Sequence, residues 1–493
     1  MTEQHDGSHG LSGRLFHGAA WLFGSFVLSK LGRLAMMLTI AAVLSPAAYG
    51  IVTLSTVIFF VVSIISEAGI WQAVVYRGDP EEEYLSTAFT ANIFVGLIIT
   101  VIFLLSAPWI AGVYGASEMA TVLRIMGLSI IVQSVSYVPD GLLRKALRFK
   151  ERAVPELAST FTAAVTTIAL LLLGAGIVSY AVGFLAEGIV RSLLTIRQAS
   201  KKLQWRPRLL ISVVHLKELY SYARHILGTE VLKYVSANID YFVVGRILGA
   251  GPLGLYSLAF NLANYPVTNF AQILSKIAFP AFASLRDDLV HARRVYLRMT
   301  EILGAVVVPM LVVLALVADP LVVQVLGDKW QAAVFPLQAM VVAGISRAIA
   351  LPGSDMLRAI GLPHVPLRVG LIEGLTLLVV LVLVAHWGIA AVALGVAAIV
   401  SLVSWSITGI TCRVLETGTK ELFRTLVPGL ALATSGAGAI VCLKLLDLRF
   451  LEGSLELVVL LGAALGAMAI CLATVCRAFV RELVAFTTSA MKS

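Results

Sequence analysis

Positive charge occurs in this chain at depths where apolar residues otherwise dominate. Lys30 and Arg33 lie three residues apart inside a long apolar stretch, on one face of a helix. Lys30 is about 14 residues, roughly 21 Å of helix, from the turn Ser45-Pro46-Ala47, too deep for its amine to reach the surface easily. In a later stretch Glu230, Lys233, Ala237 and Asp240 fall at i, i+3, i+7 and i+10, one helix face carrying both signs. Lys30, Arg33 and Lys233 offer fixed charge and multiple N–H donors, the requirements of a phosphate or pyrophosphate site. They can equally pair with Glu67, Glu230 or Asp240 and hold helices together.

A third stripe, Asn261, Asn264, Thr268 and Gln272 with Pro266 between them, recurs at i, i+3, i+7 and i+11. Amides are costly against lipid, so the stripe is expected to point inward, toward sugar hydroxyls or toward neighbouring helices. Glu67 is a candidate for protonation-linked coupling, or the partner of Lys30. Glu187 and Arg191, at i and i+4, are expected to neutralise each other, while Arg224 and Arg246 snorkel and Lys276 anchors a helix end. No GxxxxGK[ST] loop, HExxH pair or Ser/His/Asp pattern occurs, so neither an enzyme nor a cofactor or metal site is expected. Cys412, Cys442, Cys471 and Cys476 lack CxxC spacing and read as small hydrophobes.

The elements that must position these residues follow from composition. Of 493 residues, 59% are apolar and 13% charged, and the mean hydropathy is +0.94, which excludes a soluble globular protein. A bilayer span takes about 20 residues, and fourteen such segments can be placed. The expected fold is all-α and integral to a membrane, with two pseudo-symmetric six-helix bundles and two extra C-terminal helices. Its parts are an N-terminal tail (1–14), a first lobe (15–197), a basic linker (198–219), a second lobe (220–413), an appended pair (425–476) and a tail (477–493). Within them, spans are expected at 178–197, 220–248 and 252–280, and a short amphipathic surface helix over 286–298. Trp205 and the basic residues around it fit a segment lying on anionic headgroups.

The net charge of +9 suggests an acidic partner only until the charges are sorted. Of 37 Lys and Arg, 25 fall in the tails and alternate connections and three, Lys329, Lys444 and Arg449, on the opposite side. That asymmetry places both termini in the cytoplasm and leaves no indication of nucleic acid. The opposite connections are short and nearly uncharged, with no room for a catalytic domain.

Shifting the chain by 204 residues superimposes Val27-Leu28 on Val231-Leu232, Leu44 on Leu248 and Gly50 on Gly254. A second echo links Pro139-Asp140-Gly141-Leu142-Leu143-Arg144 with Pro352-Gly353-Ser354-Asp355-Met356-Leu357-Arg358. Six spans separate the copies, so the repeat is parallel, as in transporters that rock two bundles about a central site. Gly462 and Gly466 form a GxxxG in the appended pair, a spacing that lets helices pack closely.

Several stretches resemble the polysaccharide-transport branch of the multidrug/oligosaccharidyl-lipid/polysaccharide exporter superfamily, the O-antigen and exopolysaccharide flippases. They are Leu44-Ser45-Pro46-Ala47-Ala48-Tyr49-Gly50, Glu67-Ala68-Gly69-Ile70 through Arg77, Leu142 through Lys150, and Asn238-Ile239-Asp240-Tyr241-Phe242-Val243-Val244-Gly245-Arg246 running into Leu253-Gly254-Leu255-Tyr256. Ala48 departs from the acidic residue that the family often has before Tyr-Gly. The resemblance implies a bacterial inner-membrane flippase for a polyprenyl-pyrophosphate-linked oligosaccharide, with membrane lipids, a polysaccharide polymerase and a chain-length regulator as partners. A drug or cation antiporter of the same superfamily and a non-catalytic scaffold of polysaccharide assembly are the alternatives.

Overall fold

In hydrocarbon no water can satisfy backbone N–H and C=O groups, so each apolar segment must satisfy its own. A computed structural model accordingly places helices, and no strands, among the residues it describes: 28–67, 69–78, 80–286, 288–446 and 454–477. The first unit holds α1 (28–43), α2 (Pro46–Glu67), α3 (Ile70–Tyr76), α4 (Glu82–Val113), α5 (Ser117–Ser134), α6 (Tyr137–Lys145), α7 (Phe149–Leu172), α8 (Val178–Leu203) and α9 (Val213–Ala237). The second holds α10 (Ile239–Ile247), α11 (Ala250–Ser284, less its first two residues), α12 (Leu289–Leu316), α13 (Val334–Ala359), α14 (His364–Val384), α15 (Ile389–Val414), α16 (Thr419–Leu445) and α17 (Ser454–Thr474). This is a multi-pass membrane protein: among the described residues ten helical segments are long and apolar enough to cross a bilayer, and α5 with α6, bent by 48°, forms a broken span or a re-entrant loop. The division by contacts falls after Asn238, one helix beyond the basic connection at 198–219.

Four local expectations change. The span expected at 220–248 is two helices, α9 and α10, broken at Asn238, whose side-chain amide turns back to donate to the Tyr234 carbonyl (2.8 Å). Glu230 and Lys233 therefore do not share a continuous helix face with Asp240. The segment 286–298 is not a separate surface helix: from Leu289 it forms the first turns of α12, capped by Asp288, whose carboxylate accepts from the His291 N–H (3.0 Å). In the basic connection, α8 runs on to Leu203 and only 204–212 is extended.

Trp205 is also placed differently. It is buried, edge-on to Phe89 of α4 (centroids 5.5 Å apart), in a core with Ala88, Val138, Ala199 and Leu219. The connection is strapped to α4: the Leu210 and Ser212 N–H groups donate to the hydroxyls of Thr90 and Thr87 (both 3.0 Å), and Arg208 pairs with Glu82 (2.7 Å). Apolar burial and backbone hydrogen bonds thus outweigh what Trp205 would gain at a headgroup surface.

The repeat is visible in the backbone. Positive φ angles occur at Gly115, Leu147, Gly176 and Gln204 in the first unit and at Gly327, Gly361, Gly388 and Glu416 in the second. In that order the pairs stand 212, 214, 212 and 212 residues apart. Leu147, Gly361 and Glu416 end their helices in the same way. Each donates to the carbonyl three residues before it, and the next residue donates to the carbonyl five before itself, the Schellman pattern. The 204-residue shift of the first spans becomes 212 here partly because α11 has 35 residues where Pro46–Tyr76 has 31. Close helix contacts repeat as well: Gly183 admits Thr167 of α7 against α8, and Gly395, 212 residues on, lies against Val380 and Val384 of α14.

The appended helices pack through a glycine other than the GxxxG pair. A Cβ at Gly429 of α16 would lie 2.5 Å from the Gly304 carbonyl oxygen of α12, whereas Gly462 and Gly466 of α17 face open space. Gly429→Leu should therefore destabilise the protein by more than the ~1–3 kcal/mol of ordinary overpacking. Thermal unfolding in detergent checks this, with Gly462→Leu expected to leave the transition unchanged.

Candidate functional site

Charges at membrane depth organise the interior of each unit. In the first, Arg33 of α1 donates to Glu187 of α8 at 2.9 Å, with side-chain exposures of 43% and 14%. Glu187 is thus paired across helices, and Arg191, its expected i+4 partner, makes no ion pair among the described residues. Lys233 pairs with Glu230 one turn away on α9 at 3.0 Å, both about half exposed. Lys30 is half-buried on α1, one turn before Arg33. Two helices, α1 and α9, therefore carry the cations that sequence spacing singled out, and Arg33 and Lys233 each hold a carboxylate.

Glu67 stands at the end of α2, where the left-handed Gly69 (φ 67°) turns the chain into α3. Its carboxylate accepts from the Trp71 indole N–H. Arg144 of α6 lies 4.1 Å over the Trp71 ring and donates to Asp140 (2.6 Å), which also accepts from Arg152 of α7 (2.9 Å). The result is a continuous chain, Glu67–Trp71–Arg144–Asp140–Arg152, joining α2, α3, α6 and α7. Close approach is possible because position 141 is glycine: a Cβ there would sit 3.2 Å from the Trp71 Cα. Between Glu67, Trp71, Gln72 and, on α9, Leu227 and Glu230 lies a half-enclosed cavity of about 200 Å³.

In the second unit Asp240 is buried, with 4% exposure, and accepts from the Tyr256 hydroxyl at 2.5 Å, inside a cluster with Tyr241 and Phe260. Its neighbourhood includes Arg347 of α13, which bonds to Glu373 of α14 at 3.1 Å. Spacing did not single out Arg347 or Glu373. A roll of every charge within the expected spans would have found both, although not that they meet. Asp355 accepts from Arg358 and from Ser275, and so repeats the acid–arginine pair of Asp140 and Arg144 that the sequence echo had marked. Asn261 and Asn264 are half-buried on α11, Thr268 is spent on the Asn264 carbonyl (3.0 Å), and the side chain of Gln272 lies outside the described residues.

Near Glu67 the arrangement presents acceptors, an amide and an indole to hydroxyls. Comparisons with known proteins place the chain in a family. The sequence profile described as "Polysaccharide biosynthesis protein" matches residues 39–335. The chain is 28% identical over 298 residues to the teichuronic acid biosynthesis protein TuaB of Bacillus subtilis, covering 60% of this chain and 61% of that one. It thus spans about three fifths of TuaB's length. It is 24% identical over 343 residues to the lipopolysaccharide biosynthesis protein WzxC of Escherichia coli, covering 69% of each. The solved structure of the lipid II flippase MurJ in an inward closed conformation superimposes with a TM-score of 0.74 at 16% identity, over 95% of this chain and all of that one, and so shares the fold.

If Arg33 and Glu187 stabilise one another, Arg33→Ala should lower stability by about 1–2 kcal/mol, because Glu187 is left largely buried and unpaired. The exchange Arg33→Glu with Glu187→Arg should recover most of it, and Arg191→Ala should cost distinctly less. Thermal melts of the purified variants in detergent measure all three.

Proposed function

Because the chain belongs to the polysaccharide biosynthesis protein family, we propose that it is a flippase. Its cargo is a polyprenyl-pyrophosphate-linked oligosaccharide, an O-antigen, capsule or exopolysaccharide repeat unit. It carries this cargo across the bacterial cytoplasmic membrane by alternating access, with both termini in the cytoplasm. A polysaccharide polymerase and a chain-length regulator act downstream of it. The names of TuaB and WzxC support the substrate class, and the fold shared with MurJ supports the mechanism.

One observation carries the reading. Arg33, Lys233 and Glu230 are 43–50% exposed, and the sequence pattern places them within the expected spans 16–44 and 220–248. Lipid cannot solvate charge there, so exposed charge at that depth faces water. A water-filled cavity bearing fixed cations suits a pyrophosphate and its glycan, while the prenyl tail stays in lipid. Lys30, Arg33 and Lys233 are the pyrophosphate ligands in this proposal, and the half-buried Asn261 and Asn264 offer hydrogen bonds to the glycan. Glu187 and Glu230 keep the guanidinium and ammonium groups in place between cargoes and yield to the stronger dianion when it enters. Glu67 and Asp240 remain the coupling candidates.

In a strain whose surface polysaccharide depends on this protein, Lys30→Ala and Lys233→Ala should each reduce export about tenfold or more, the loss expected of one charge-assisted hydrogen bond. Unchanged export at normal protein levels for both would overturn the assignment. Exchanging Glu230 and Lys233 separates the roles: a purely structural pair regains export on exchange, whereas an anion site displaced by one turn does not.

A further inference from the structure

We propose that the cavity at the foot of α2 is a subsite for one neutral sugar residue of the cargo, an assignment that rests on the flippase reading above. At about 200 Å³ it has room for some six waters or, in their place, one pyranose ring. Its polar lining is the Glu67 and Glu230 carboxylates, the Gln72 amide and the Trp71 indole. A pyranose matches that set. Its hydroxyls donate to carboxylate and amide oxygens around the rim, and the C–H bonds of its faces are polarised toward the electron-rich surface of an indole.

A second observation points to a donor from outside the chain. Among the described residues the Gln72 side-chain oxygen is buried and has no hydrogen-bond partner. Leaving a buried carbonyl unsatisfied is costly, and a ligand hydroxyl in the cavity would relieve it. Charge then selects among ligands. Arg144 and Arg152 both pair with Asp140 and Lys233 pairs with Glu230, while Glu67 accepts from the Trp71 indole. A uronic acid would bring its carboxylate against those of Glu67 and Glu230 in the lining, an obstacle that a neutral, hydroxyl-rich ring does not meet.

Saturation-transfer difference NMR on the full-length protein in detergent tests this, with methyl glycosides of glucose, galactose and N-acetylglucosamine as probes beside methyl glucuronide and choline. At least one neutral glycoside should receive saturation several-fold more strongly than the glucuronide. Gln72→Leu should weaken that signal about fivefold while leaving the thermal transition in place. Trp71→Phe, which keeps an aromatic face, should weaken it less. Transfer to no neutral sugar, a signal that Gln72→Leu leaves untouched, or displacement by choline would each overturn the subsite. None of these bears on export, so cells that still lose polysaccharide with Lys30→Ala would leave the flippase reading standing. Conversely, normal export without this protein would remove that reading while sugar binding at Gln72 persisted.

Discussion

Hydrocarbon sets the terms on which charge can exist in this chain. An isolated ion at membrane depth costs several kcal/mol even after the surroundings relax, so an apolar helix that retains Lys or Arg must supply an opposite charge or water. Arg33 meets Glu187, Arg347 meets Glu373, and Lys233 finds Glu230 one turn away. Two of these pairs bridge helices and so fix neighbours as well as neutralise them. The half-open pairs in the first unit are the ones that the proposed function makes exchangeable for an anionic guest. The more enclosed chain from Glu67 to Arg152 is better suited to holding a shape.

Much of the architecture was legible in the sequence because its cause is local. Apolar runs of span length, Pro and Gly at turns, and basic connections alternating with uncharged ones are each decided within about twenty residues. Partner choice is not local. Glu187 has Arg191 one turn away, yet it takes Arg33, 154 residues distant, because helix packing rather than sequence spacing decides which guanidinium reaches its carboxylate. Asp240 shows the same limit. Counted along one helix it belongs with Glu230 and Lys233, but the break at Asn238 removes it from their face and leaves it against Tyr256. Trp205, flanked by basic residues, looked like a headgroup anchor until the fold supplied Phe89 to bury it.

The two units show how a duplicated arrangement outlasts its sequence. Side chains along the repeat have diverged until only scattered identities remain, but the places where the chain reverses stay in register. At Gly361 the residue suits its left-handed turn; at Leu147, Gln204 and Glu416 it does not, and the Cβ there carries a penalty on the order of 1 kcal/mol. That these residues are accepted at all means the packed helices on either side dictate the turn. Capping hydrogen bonds at Leu147 and Glu416 then meet the carbonyls that the helix ends leave open.

The strap over 204–212 bears on how the gene could be divided. By composition it is the obvious linker, basic, proline-containing and flanked by helices, and the natural choice for producing the halves as separate polypeptides. In the fold it belongs to the first half: Trp205 sits in that half's core, and Thr87 and Thr90 take up its backbone N–H groups. A cut there would open a hydrophobic core and strand α9 on the wrong fragment. The seam at Asn238, between two helices, interrupts neither, and two coexpressed fragments meeting there would each retain the contacts that hold them folded.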